Sequence, residues 1–225
     1  MPSPSTKAAG RRIGRPRRRP HSGSGDAVEE IIACASSLFG ELGVDATTMT
    51  HIADRAGLNQ SSLYYYFDSK EALLAAIVAR ANVVPLELIA SIEAQGGSPP
   101  VRLYRFVRGD TIALCELPFD INEVHRIAAR DMNRFATYWK ERDILERKLT
   151  AMLREGIKSK AFRELDARLM AITIMSNDEA VQNWYRVSTR SRRAREIGTF
   201  TADLTLSGVL PARASLARVR AAAFQ

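Results

Sequence analysis

Residues able to do covalent or metal chemistry are few and scattered in this chain. His21, His51 and His125 stand far apart, Cys34 and Cys115 lie in apolar surroundings, and none of the five falls at metal-ligand spacing. No nucleophile motif or glycine-rich phosphate loop is present. No metal and no cofactor are therefore expected. Hydrogen-bonding chemistry is concentrated in two places instead. One is Asn59-Gln60-Ser61-Ser62-Leu63-Tyr64-Tyr65-Tyr66, the polar and aromatic residues of a helix too short to justify itself by packing. Such amide side chains pair bidentately with adenine, and hydroxyls reach bases or phosphates. The other is the stretch up to residue 20, where Lys7, Arg11, Arg12, Arg15, Arg17, Arg18 and Arg19 meet no acidic residue.

That basic stretch holds seven of the formal +8, leaving +1 for the remaining residues. Mixed with Pro and Gly it cannot collapse alone, and a block of this kind suits a polyanion. Gly14-Arg15-Pro16-Arg17 resembles the core of an AT-hook. Pro16 holds the backbone extended, and Arg15 and Arg17 suit the enhanced negative potential of a narrow minor groove. A second basic cluster runs through Arg186, Arg190, Arg192, Arg193 and Arg195. Residues 26–71, by contrast, carry eight acids against Arg55 and Lys70 alone. A DNA-reading module that acidic needs its attraction to phosphate from the arm at 11–19.

The elements that must position these residues are helical. The chain has 225 residues and is 46% hydrophobic, enough to bury a sizeable core. Asp26 with Glu29 reads as a capping pair, and apolar residues at helical spacing then run to Leu42 before Gly43. A second helix starts at Thr47/Thr48 and ends at Gly57, and a third spans Asn59 to about Phe67. Asp68 and Ser69 cap a fourth, expected over 70–93 with a kink at Pro85. Further helices are predicted at about 100–116, 120–129, 131–158, 166–189 and 194–210, with Pro118 and Pro211 as breaks. No strand alternation or repeat is visible, so the fold expected is all-α with about nine helices. The divisions read are an arm and linker at 1–25, a DNA-binding module at 26–71, an effector and dimerisation domain at 72–212, and a tail at 213–225. No uninterrupted apolar run reaches membrane-spanning length, and the cysteine usage suits a reducing cytosol. Membrane-embedded, secreted and disulfide-scaffold classes are excluded on this reading, and a cytoplasmic protein is expected.

Three short helices with Gly57 in the tight turn between the second and third form a helix-turn-helix pattern. The stretch Thr47–Leu74 resembles the DNA-binding domain of the TetR family of transcriptional regulators. The matching residues are Thr48, Ile52-Ala53, Ala56-Gly57, Leu63-Tyr64, Tyr66-Phe67 and Ser69-Lys70-Glu71, and Gly156, Phe162 and Asp166 echo a looser pattern further on. Physically, Ala53, Ala56 and Gly57 must be small for close helix approach, while Ile52, Leu58 and Leu63 face inward. The N-terminal part of the recognition helix meets base edges in the major groove. Asn59, Gln60, Ser61, Ser62 and Tyr65 are thus the candidates for base contact. Thr48, Thr50, Tyr66 and Lys70 are candidates for phosphate, the last aided by a helix N-terminus. Tyr64 is expected partly in the core. Asn59, Gln60 and Thr50 depart from the usual pattern, standing where small, basic and charged residues are common.

The resemblance further implies a C-terminal ligand-binding domain and a homodimer joined by the last two helices, acting as a repressor on a palindromic operator. Ile197, Phe200 and Leu204 form the candidate interface stripe. For the pocket, Phe106, Phe135, Trp139, Met175 and Asn177 are the candidates, with Met132, Leu114, Leu145, Leu169 and Ile172 near them. Their chemistry suits an apolar or amphipathic small molecule such as a lipid, acyl thioester or aromatic compound. Ser176-Asn177-Asp178-Glu179 interrupts helix 166–189 with polar residues whose task the sequence leaves open. The competing readings are an architectural DNA binder without effector and a small helical enzyme.

Overall fold

The computed structural model describes residues 24–117, 119–188, 193–212 and 214–224, with side chains from residue 27 and without those of 186–188. Eleven helices and no strand occur among the described residues. The first, α1 (Ser24–Leu42), ends where Gly43 adopts φ 83°, a left-handed conformation that costs glycine nothing. Thr47 then ties the following loop down, its buried hydroxyl donating to the carbonyls of Gly43 (2.8 Å) and Leu38 (3.2 Å). In α2 (Met49–Arg55) Thr48 is the N-cap, and His51 takes the reciprocal place usually held by Glu in a capping box. Gly57 turns the chain at φ 66° into α3 (Gln60–Tyr66), capped by Asn59. Ser69 caps α4 (Lys70–Arg80). Ile31, Ala35, Leu38 and Phe39 of α1 meet Ile52, Ala53, Leu63 and Leu73 in one buried cluster.

The helix expected over 70–93 is two helices. α4 stops at Arg80, Ala81 and Asn82 intervene, and α5 (Val83–Gln95) begins afresh. Pro85 dictates this from four residues downstream: it has no N–H for the carbonyl of Ala81, and its ring would collide with that carbonyl in a continuous helix. It sits instead in the first turn of α5, where no donor is missed. Asn82, buried at the break, donates its amide to the Tyr138 carbonyl at 2.9 Å. Residues 70–95 are long and apolar enough in composition to cross a membrane. Here the break divides them, and Leu73, Ile77, Val78, Ile89 and Ile92 are buried in protein.

Then come α6 (Pro99–Glu116), α7 (Ile121–Arg130), α8 (Ala136–Lys158), α9 (Ala167–Ser188) and α10 (Ala194–Val209). Residues 131–135, predicted as helix, form a turn in which Asp131 accepts from the Arg134 amide at 2.9 Å. Helix α6 is central, packing on α5, α8, α9, α10 and α11 around a second buried cluster that includes Tyr104, Phe106, Leu149 and Leu206. The segment read as a tail folds as α11 (Leu216–Ala223), because Arg105 of α6 caps its last carbonyls, Ala223 at 3.1 Å and Ala222 at 3.4 Å. The first cluster does not stop at the reading head. Phe119, Ile121, Val124 and Ile127 belong to it, so α7 is packed into the core of the helix-turn-helix.

Candidate nucleic-acid interface and effector cavity

The short second and third helices present the polar surface anticipated from their sequence. Thr48, Thr50, Asn59, Gln60 and Ser61 are exposed, and Tyr65 is 83% exposed, the extreme among the large hydrophobic side chains described. Gln60 donates its side-chain amide to the Thr50 hydroxyl, joining the start of α3 to α2. Asn59 is less free for bases: its Oδ1 accepts from the Ser62 amide (2.7 Å) and the Ser61 hydroxyl (2.8 Å). Ser62 is half-buried. The burial of the tyrosines differs from that expected for Tyr64. Tyr64 is 46% exposed, whereas Tyr66 is half-buried against the head's core, with its ring edge-on to that of Tyr65.

Lys70 is placed differently from a simple phosphate ligand. Its ammonium donates to the carbonyls of Val44 (2.8 Å), Thr47 (3.1 Å) and Asp45 (3.4 Å), using all three donors on the α1–α2 loop. Arg55 is engaged as well, in a bidentate pair with Glu41 at 2.9 Å for both contacts. The Arg55 guanidinium, and then the Ser37 hydroxyl, pull the Glu41 carboxyl down to about 2. Both cations of residues 26–71 are therefore committed to protein groups. Arg15 and Arg17 lie outside the described residues, as do Arg190 and Arg192 of the second cluster.

At the far end of α4 the helix break opens a small cavity of about 20 Å³. Ala81, Asn82, Val84 and Pro85 line it from the break, Asp110, Leu114 and Leu117 from α6 and the residue after it, Arg142 and Leu145 from α8, and Met175 and Glu179 from α9. That volume is near what a single water needs, so a larger ligand must open the site. Of the five pocket residues predicted, Met175 alone lines it. Phe106 is wholly buried in the second cluster, and Phe135 is buried against the head. Trp139 stacks on His125 and donates to the Ala128 carbonyl at 3.2 Å. Asn177 faces outward on α9, as do Leu169 (62% exposed) and Ile172.

The polar residues around the cavity were missed. Arg142 grips Glu179 through two contacts of 2.5 and 3.0 Å, and His125 Nε2 lies 3.1 Å from the same carboxylate. Desolvation works against the Glu179 anion, yet the bonds from His125 and Arg142 outweigh it and hold its carboxyl below the usual range. Asp110 and Asp178 are both buried. Desolvation, then the neighbouring acid Glu179, pushes Asp110 up to about 7, and burial followed by Asp110 raises Asp178 well above an ordinary aspartate. The sequence signal was an acid on an apolar stripe, since Leu103, Val107, Asp110 and Leu114 share one face of α6 and Ala171, Ile174 and Asp178 one face of α9.

Residues 31–77 match the bacterial regulatory proteins of the tetR family, and residues 122–209 match the tetracyclin repressor-like C-terminal domain. The HTH-type transcriptional repressor KstR2 of Rhodococcus jostii is 30% identical over 171 residues, spanning 73% of this chain and 82% of the relative. The chain belongs to the TetR family. It is a DNA-binding transcriptional repressor, and its carboxy-terminal half is the tetracyclin repressor-like domain. Among solved structures, the ketosteroid regulator KstR2 of Mycobacterium tuberculosis superposes with a TM-score of 0.73 at 24% identity, covering 82% of this chain and 95% of its own. AibR in complex with isovaleryl coenzyme A and operator DNA shares the fold at a TM-score of 0.66 and 17% identity, covering 82% and 98%. The candidate interface stripe lies on α10. Phe200 (66% exposed) and Leu204 stand outward on α10, but Ile197 is buried within the subunit beside Cys115 and Val181 and is no interface residue.

Proposed function

We propose that this regulator acts in the cytoplasm as a homodimer on a palindromic operator, and that an amphipathic small molecule bound in the cavity at the α4–α5 break alters its grip on DNA. The observation that carries this reading is the placement of two sites at opposite ends of α4. The polar surface of α2 and α3 adjoins its start, and the cavity adjoins its finish. Gln60, Thr50, Ser61 and Tyr65 are the proposed direct contacts, with Asn59 and Ser62 shaping the start of α3. Thr48 and Tyr66 reach phosphate, Lys70 braces the loop beneath them, and Arg15 and Arg17 read the flanking minor groove. The exposed apolar side chains of α9 and α10, Leu169, Ile172, Phe200 and Leu204, form the proposed dimer face. A ligand that wedges the cavity tilts α4 and moves the two heads out of groove register, provided it binds the DNA-incompetent state more tightly. AibR, solved in complex with isovaleryl coenzyme A and operator DNA, is a chain of this fold that holds a small molecule as well as an operator. Neither the residues nor the family supports catalysis.

The test is selection of bound fragments from a genomic DNA pool by the full-length protein. The expected result is a palindrome whose half-sites lie roughly 34–36 Å, one helical turn, or a multiple of that apart. Diffuse recovery with only an A·T bias overturns the sequence-specific dimer and favours an architectural binder acting through the arm.

A further inference from the structure

Two carboxyl groups are buried without an ion pair of their own among the described residues. Asp110 is only 7% exposed and lines the cavity, and no hydrogen bond reaches its carboxyl among the described residues. Asp178 is fully buried, no hydrogen bond of good geometry reaches its oxygens there, and the groups beside its carboxyl, Thr111 and Asn177, carry no charge. A polar group left unmade in the interior is costly, and native proteins retain such groups at sites with a task. The cation at hand is already committed, since Arg142 is held by Glu179.

This arrangement selects the sign of a ligand. An anion entering the cavity meets Asp110 and Glu179 and must compete with Glu179 for Arg142. A cation meets the unpartnered Asp110 carboxyl and displaces nothing. The remaining lining is apolar: Val84, Pro85, Leu114, Leu117, Leu145 and Met175. We infer that the cavity takes an amphipathic cation, its protonated nitrogen donating to Asp110 and its apolar body lying against Pro85, Leu114, Leu145 and Met175. This rests on the reading of the cavity as the effector site and specifies which chemistry that site selects. Because the closed cavity holds little more than a water, the apolar body must part α5 from α6 and α8, and it does so beside Ala81 and Asn82, where α4 begins its path to the head.

Isothermal titration of the full-length protein with n-hexylamine, 1-hexanol and hexanoate separates head group from chain. The amine is expected to bind about tenfold or more tighter than the alcohol, as a charge-assisted hydrogen bond in a buried site warrants, with hexanoate weakest. Asp110→Asn keeps the volume, removes an unpaired acid and should reduce the amine to the affinity of the alcohol. Leu145→Trp, which fills the cavity, should abolish all three. Equal binding of the three probes, or preference for hexanoate, overturns the cationic assignment while leaving the effector site in place. Amine binding that survives Leu145→Trp puts the ligand elsewhere and overturns the reading of the cavity itself, and binding of none of the three overturns both.

Discussion

Burial holds the Asp110 carboxyl up at about 7, against roughly 4 for an unfolded aspartate. The folded chain therefore retains a proton that the unfolded chain has lost across the interval between these values. Stability linked to this group is present in full at low pH, declines as pH rises from about 4 to about 7, and is gone above that. Glu41 and Glu179 titrate in the opposite sense, but their lowered values place their gain below about pH 4.5. Between pH 5 and 7.5 the thermal midpoint should thus fall, and in Asp110→Asn the slope should flatten; a midpoint that rises across this interval refutes the account. A second residue-scale constraint is steric. A Cβ on Gly156 would overlap the ring of buried Phe162, so Gly156→Ala must displace that ring. The expected loss is about 1–3 kcal/mol in urea unfolding, partly recovered when Phe162→Leu is added. An unchanged midpoint would show that the ring moves freely.

Helix α4 is the element through which both sites communicate, and Lys70 fixes its start. Replacing Lys70 with Met removes three donors from the loop carbonyls that precede Thr48. The loss should be about 1–3 kcal/mol of stability, with weaker operator binding, because buried acceptors lose their partner. The salt dependence should not change, since the ammonium is spent on protein. A slope reduced by about 0.9 would instead assign Lys70 to a phosphate. The same helix shows where sequence reading succeeds and stops. Its cap, like the turn glycines Gly43 and Gly57, depends on neighbours in the chain, and these were legible, whereas Thr48 and Asn59 were read as DNA contacts and not as the caps of α2 and α3. The end of α4 was not legible, because Pro85 acts through a carbonyl four residues earlier and so breaks the helix before itself. Asp131 and α11 were missed for a related reason: a side-chain-capped turn looks like continuing periodicity, and a short helix owes its order to α6 and the cluster around it, more than a hundred residues away. The recognition surface was legible as a polar run, but the exposure of Tyr64 was not, since its burial is set by how α3 crosses its neighbours. The cavity was illegible as a whole, because five helices spread along the sequence build it, and its acids hide in apolar stripes.

At the scale of the whole molecule, charge is separated from recognition. The head that carries the exposed polar surface has an excess of six acids over bases, and its two cations are both engaged, Arg55 with Glu41 and Lys70 with the loop. Cations just beyond it are likewise taken: Arg80 pairs with Glu29 at 2.7 Å, and Arg134 donates to the Glu71 carbonyl at 3.0 Å. A polyanion brought to such a surface meets repulsion unless positive charge arrives from elsewhere, and residues 1–20 hold seven cations without an acid. Removing residues 1–20 should therefore cut the dependence of log affinity on log salt by several phosphate contacts, at about 0.9 per contact, and lower affinity for operator and unrelated duplex alike. Gln60→Ala and Thr50→Ala should do the reverse, weakening operator binding by about 1–3 kcal/mol while the slope stays as it was. The two sets of variants then divide non-specific attraction from base reading. An unchanged slope without the arm would mean that Arg80, Arg134 or Arg55 leaves its carboxylate or carbonyl when DNA arrives, so that recognition begins with the opening of ion pairs inside the protein.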